Sequence, residues 1–147
     1  MKNGGIVHSQ TQKQEVPVRK ILLVEDDENT SQLMCEILRS AYEVLCCKTP
    51  FYAISALAYF EADLIITDVA LPSADRVDGI DVYEIIADGF SNLQIPMIVV
   101  SGIWDEKVRR RAMNAGAKAY IPKPFEPEDL LASVHSALSP KPSIKQI

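Results

Sequence analysis

The sequence predicts an α/β fold, a doubly wound five-stranded parallel sheet with five helices shared between its two faces. Three observations carry that expectation. Short apolar runs alternate with longer segments whose apolar residues recur at helical spacing. The runs are nearly continuous rather than alternating, as in strands covered on both faces, which is the habit of parallel sheets. Four of the runs also stop at polar groups: an acidic pair, a carboxylate, a hydroxyl and a lysine. In open parallel sheets ligands bind beyond the carboxyl ends of the strands, so these groups are expected to meet in one crevice.

Residues 1–18 are polar, lack periodicity and include Pro17, and read as a loose N-terminal tail. The first strand is Ile21-Leu22-Leu23-Val24, closed by Glu25-Asp26-Asp27. Residues 28–40 follow as a helix, with Leu33, Met34, Ile37 and Leu38 in one stripe. Residues 42–47 form a second strand. Residues 50–61 form a second helix, with Pro50 near its start and Ala53, Ile54, Leu57, Ala58 and Phe60 as apolar positions. Leu64-Ile65-Ile66-Thr67 is the third strand, ended by Asp68, and a long loop runs from Leu71 to Asp78. Residues 79–87 open a third helix, with Ile80, Tyr83, Ile86 and Ala87 on one side. Met97-Ile98-Val99-Val100 is the fourth strand, ended by Ser101-Gly102. The fourth helix is expected over 105–115, stopped by Gly116. Ala119-Tyr120-Ile121 is the fifth strand, ended by Pro122-Lys123-Pro124, and residues 126–138 form the last helix. The folded domain is expected over 19–138. Residues 139–147, with Pro140 and Pro142, read as a second tail or the start of a linker.

Strands alternating with helices favour right-handed crossovers in a doubly wound sheet. The flavodoxin-like order 2-1-3-4-5 sets the first and third strands side by side and brings Asp26 close to Asp68. A chain of 147 residues suits one domain with a self-supporting core. The net charge of −5 gives no basic footprint for nucleic acid. No apolar stretch reaches the roughly 20 residues of a membrane helix, and the start lacks a signal peptide's apolar region, so a cytoplasmic protein is expected. Cys35, Cys46 and Cys47 are odd in number, and adjacent cysteines on a strand point to opposite faces. They read as reduced core residues rather than a disulfide or a metal set.

Clustered carboxylates repel one another and call for protons or a cation. Mg2+ suits Glu25, Asp26 and Asp68: it takes oxygen ligands, keeps several waters and often binds one or two carboxylates with a phosphate. Lys123 and Ser101 supply a cation and a donor for phosphoryl oxygens, and phosphoryl transfer depends mainly on positioning and charge neutralisation. Asp68, on a central strand, is the candidate nucleophile for an aspartyl-phosphate. Neither GxxxxGK[ST] nor GxGxxG follows a strand, so a phosphoryl group must arrive on a donor.

These residues resemble the receiver domains of two-component response regulators. The matching stretches are ILLVEDDE, DLIITDVALP, MIVVSG and NAGAKAYIPKPF, in that order, and the resemblance spans about residues 19–138. It implies that Asp68 is the phosphoacceptor. Asp26 and Asp68 would bind Mg2+ directly, Glu25 mainly through water, and the Ala70 carbonyl would be a further ligand. Lys123 would contact the phosphate, Ser101 would be the switch hydroxyl and Tyr120 the switch aromatic. A Lys123-Pro124 bond of the cis kind is implied as well. A sensor histidine kinase or a histidine phosphotransfer protein would donate the phosphoryl group. An unidentified downstream protein would then read the fourth helix, fifth strand and fifth helix, without direct nucleic-acid or membrane binding. A homodimer stays open. The protein would catalyse its own phosphorylation and slow dephosphorylation without being an enzyme in the usual sense. One departure stands out: Pro72 is followed by Ser73-Ala74-Asp75-Arg76-Val77 before Asp78-Gly79, about three residues more than the family pattern. Ala70 is also smaller than the residue often found at its position.

Blander readings stand beside these. Asp27 suits a helix cap, and Ser101 could cap the fourth helix. Arg109-Arg110-Arg111 reads as a solvated helix face, with partner docking as the alternative, and Trp104 is expected to be exposed nearby. His8 and His135 have no evident role. A haloacid-dehalogenase-type phosphatase would need a second carboxylate two residues after Asp68, where Ala70 stands. A non-phosphorylated scaffold is disfavoured by the full set of site residues.

Overall fold

The computed structural model describes residues 4–5, 16–72, 76–89 and 94–140. Five strands, β1 (Lys20–Val24), β2 (Glu43–Cys47), β3 (Leu64–Thr67), β4 (Met97–Ser101) and β5 (Ala117–Pro122), alternate with five helices. The helices are α1 (Glu28–Leu38), α2 (Pro50–Ala56), α3 (Gly79–Gly89), α4 (Glu106–Ala115) and α5 (Pro127–Leu138). The strands form one parallel sheet in the order β2-β1-β3-β4-β5, as the sequence predicts.

Alternate side chains of each strand go to opposite faces. Ile21, Leu23, Leu64, Ile66, Ile98 and Val100 pack under α1 and α5, against Met34, Leu38, Leu130 and Val134. Leu22, Val24 and Ile65 face α2 and α3, meeting Ala53, Ala56, Val82 and Ile86. Met97 and Val99 meet Ile80 of α3 and Ala112 of α4. Both faces are dry, which explains why β3 is buried at all four of its positions. The central strands have no solvent face for polar residues to occupy, so polarity is pushed to their ends.

Local chemistry sets the helix ends. The Asp27 carboxylate accepts from the Thr30 N–H at 2.8 Å and starts α1. Thr49 caps α2 ahead of Pro50. Asp105, rather than Ser101, caps α4, and Gly116 ends it in the left-handed region at φ 107°. Helix α2 is shorter than the periodicity predicts. Past Ala56 the chain tightens into three-residue hydrogen bonds, Leu57 to Ile54, Ala58 to Ser55 and Tyr59 to Ala56, and these turn Phe60 into the core.

The expectation of three reduced cysteines is corrected. Cys35 of α1 and Cys46 of β2 are joined through their sulfurs, and only Cys47 is a free, buried thiol among the described residues. Cys46 and Cys47 do point to opposite faces, Cys46 toward the α1 side and Cys47 toward α2. What the sequence could not give is that α1 lies over β2 and carries Cys35 there. The Cα atoms are 7.7 Å apart, wider than the roughly 4.4–6.8 Å that disulfides usually span. No helix of the described residues is long and apolar enough to cross a membrane.

Candidate functional site

The crevice lies past the carboxyl ends of β1, β3, β4 and β5. Val24 delivers Glu25, whose side chain is buried, and then Asp26, which is exposed. Thr67 delivers Asp68, 7% exposed, and β4 ends on the fully buried Ser101. Pro122 delivers Lys123. The Asp68 N–H donates to the Val24 carbonyl and the Lys123 N–H to the Ser101 carbonyl, so the sheet ladder itself fixes these residues side by side.

Lys123 spans the acids. Its Nζ donates to Asp68 Oδ2 at 2.7 Å and to Glu25 Oε2 at 2.9 Å. The second oxygens are held by main chain: Asp68 Oδ1 accepts from the Ala70 N–H at 3.2 Å and Glu25 Oε1 from the Asp27 N–H at 3.3 Å. Burial raises the Glu25 pKa, more than the attraction of Lys123 lowers it, and the charge of Asp68 adds to the rise. Burial works against the charge of Lys123, but its hydrogen bonds to Asp68 and Glu25 and their charges win and raise its pKa. A carboxylate oxygen from each of Glu25, Asp26 and Asp68 lies within 4.8 Å of the others. Oxygen-only donors at this spacing, open to water through Asp26, fit a hard divalent ion such as Mg2+.

Ser101 and Tyr120 meet on one residue. The Ser101 hydroxyl accepts from the Ile103 N–H at 3.2 Å, and the Tyr120 hydroxyl donates to the Ile103 carbonyl at 2.7 Å. The Lys123-Pro124 peptide is cis. Glu25, Asp26, Asp68 and Lys123 thus meet at this end of the sheet, with Ser101 at the end of β4 beside the Lys123 backbone and Tyr120 tied to Ile103. The extended loop is described at Leu71, Pro72 and Arg76–Asp78, while Ser73, Ala74 and Asp75 lie outside the described residues, as does His8.

Sequence reasoning missed two features. Gly79 abuts the phosphoacceptor candidate's backbone: a Cβ there would stand 1.7 Å from the Asp68 carbonyl oxygen. Arg111 was grouped with a solvated face, and it does stay partly exposed, yet it crosses to the start of α3. It forks onto Asp78 at 2.5 and 3.2 Å and reaches Asp81 at 2.6 Å. Arg109 does stay on its own helix, paired with Glu106. The available signal was Asp78-x-x-Asp81 at a helix start, an acidic version of the reciprocal cap.

Residues 21–135 match the family model of the response regulator receiver domain. The chain belongs to that family. This receiver domain is 30% identical over 127 residues to the response regulator protein TmoT of Ectopseudomonas mendocina, covering 86% of the chain and 56% of TmoT. It is 32% identical over 123 residues to the transcriptional regulatory protein PdtaR of Mycobacterium tuberculosis, covering 82% of the chain and 57% of PdtaR. The receiver domain thus spans a little over half the length of these relatives. A solved CheY-like response regulator receiver domain from Methanospirillum hungatei superposes with a TM-score of 0.74 at 28% identity, covering 83% of this chain and 94% of that one. The receiver domain is accordingly a component of two-component signalling.

Proposed function

We propose that this receiver domain is a phosphoacceptor switch in which Asp68 takes a phosphoryl group from a phosphohistidine. The reading rests on one observation above others: Lys123 joins the buried Asp68 and Glu25 at the end of the central strands. An Asp68 carboxylate oxygen attacks phosphorus, the P–N bond breaks, and its electron pair stays on the imidazole, which leaves as neutral histidine after protonation. Asp26 and Asp68 would hold Mg2+ directly, with Glu25 acting through water and the Ala70 carbonyl as a further ligand; the ion supplies neutralisation of the phosphoryl charge. Lys123 gives up its contact with Asp68 Oδ2 for a phosphoryl oxygen. Ser101 donates to another phosphoryl oxygen.

The product carries about two negative charges on the phosphoryl group where the Asp68 carboxylate carried one, so the crevice gains about one negative charge. Ser101 and Tyr120 answer that charge and alter the face formed by α4, β5 and α5. A downstream protein that binds the two states differently completes the switch. The donor is a sensor histidine kinase or a histidine phosphotransfer protein. The domain catalyses its own phosphorylation and slow dephosphorylation and turns over no separate substrate.

The test is incubation with acetyl phosphate, with and without Mg2+, read as intact mass beside Asp68→Ala. A Mg2+-dependent, hydroxylamine-labile adduct of one phosphoryl group, lost in the variant, is expected. A folded protein that gains no mass, or an adduct that survives Asp68→Ala, refutes the assignment.

A further inference from the structure

The geometry points to Arg111 as a positioning residue that ties α4 to the backbone of the phosphoacceptor through the first turn of α3. The linkage has three parts. Asp78 and Asp81 form a reciprocal cap: Asp78 Oδ1 accepts from the Ile80 and Asp81 N–H groups, each at 2.9 Å, while the Asp78 N–H donates to Asp81 Oδ2 at 3.0 Å. Arg111 of α4 closes that cap from outside, forked onto Asp78 and bonded to Asp81 Oδ1. The planar fork of a guanidinium fixes direction as well as distance, which a lysine cannot do. The capped turn then bears directly on the site. The Gly79 N–H donates to the Val69 carbonyl at 3.0 Å, and the Gly79 Cα sits so close to the Asp68 carbonyl that no side chain fits between them.

Among the described residues, the neighbouring arginines make no such link. Arg109 bonds to Glu106 one turn away on the same helix, whereas Arg111 crosses to residues about thirty positions earlier in the chain. The Asp68–Val69–Ala70 main chain carries the nucleophile and the proposed carbonyl ligand, so a shift there misplaces both. Arg111 makes its hydrogen bonds to Asp78 and Asp81, not to Glu25, Asp26, Asp68 or Lys123. It acts through Asp78, Asp81 and Gly79, and connects the reacting strand end to the helix that begins the proposed output face.

This inference rests on the phosphoacceptor reading, and one experiment separates the two. Amide hydrogen exchange and phosphoryl incorporation from acetyl phosphate at saturating Mg2+ are measured on wild type, Arg111→Ala and Arg19→Ala. Arg19 is the control because it forms a comparably exposed ion pair, with Asp63, at the other end of the sheet. In Arg111→Ala, exchange of the Asp68–Leu71 and Asp78–Val82 amides is expected to speed by about tenfold. Its incorporation rate is expected to fall by about threefold or more, since small misplacements near reacting atoms are costly. Arg19→Ala changes neither. Asp78→Asn keeps the helix cap but weakens the fork. It should shift both readouts in the same direction and less far, and it carries the test if Arg111→Ala does not fold. Unchanged exchange in the Arg111 and Asp78 variants overturns the linkage. Faster exchange with an unchanged incorporation rate overturns the positioning role. If wild type takes up no phosphoryl group, the phosphoacceptor reading fails, and the exchange arm alone decides whether the linkage exists.

Discussion

Replacing Lys123 with methionine isolates what the cation does for Glu25. Methionine keeps most of the stem but removes the Nζ that bonds Glu25 Oε2 and Asp68 Oδ2. Glu25 is 2% exposed, so the variant leaves a carboxylate in a dry site with no cation and with Asp68 beside it. Burial and repulsion then act unopposed, and the Glu25 pKa, already raised in the wild type, rises further. Protonation bounds the cost. Taking up a proton at pH 7 from a reference value of 4.5 costs two and a half pH units, or about 3.4 kcal/mol at ~1.4 kcal/mol per unit. At pH 5 the same ceiling is only about 0.7 kcal/mol. Part of it is already present in the wild type, so the loss expected through Glu25 stays below about 3.4 kcal/mol at pH 7 and below about 0.7 kcal/mol at pH 5. The sign follows from the raised folded-state value. A folded state that holds its proton more tightly than the unfolded chain loses stability as pH climbs from the unfolded value through the folded one. Lys123 itself does not titrate in this window, since its pKa is raised from 10.5. Urea unfolding of both proteins at pH 5, 6 and 7, followed by far-UV circular dichroism, measures the difference. Equal losses at pH 5 and pH 7 would refute the reasoning, because only titration of a buried acid makes the loss grow with pH.

Two further outcomes follow from the packing. Gly79→Ala places a methyl group against the Asp68 carbonyl, and the resulting strain, about 3 kcal/mol, outweighs the roughly 1 kcal/mol that alanine ordinarily gains over glycine in a helix; a variant melting at or above the wild-type temperature would contradict that close approach. Alkylation in denaturant without reductant should label Cys47 alone and reach all three cysteines only after reduction; three labels beforehand would show that Cys35 and Cys46 are not bonded.

The strands were legible because the sheet is covered on both faces: Ile21–Val24 and Leu64–Thr67 have no wet side, and the amino-acid code shows it as unbroken apolarity. The site was legible for the same reason inverted. A strand that excludes polar groups throughout its length makes Glu25, Asp68 and Ser101 conspicuous where it stops. Arg111 was not legible, because three consecutive arginines on a helix look alike until the neighbouring helix is placed. Only one of the three projects toward the start of α3. The end of α2 was misjudged because helical periodicity continues through Phe60, although that residue reaches the core through a tightened turn. The Cys35–Cys46 approach depends on how α1 lies across β2, and nothing local encodes that angle.

Ile103 is gripped at both ends of its own residue, its N–H by Ser101 and its carbonyl by Tyr120. The two grips have opposite polarity, since one side chain receives a proton contact and the other gives one. Ser101 thus spends a lone pair on the chain, and that bond leaves its own hydroxyl hydrogen uncommitted. Tyr120 has no such freedom, because its only hydrogen is committed. The segment ahead of α4 is therefore tied to the strand ends through one acceptor and one donor.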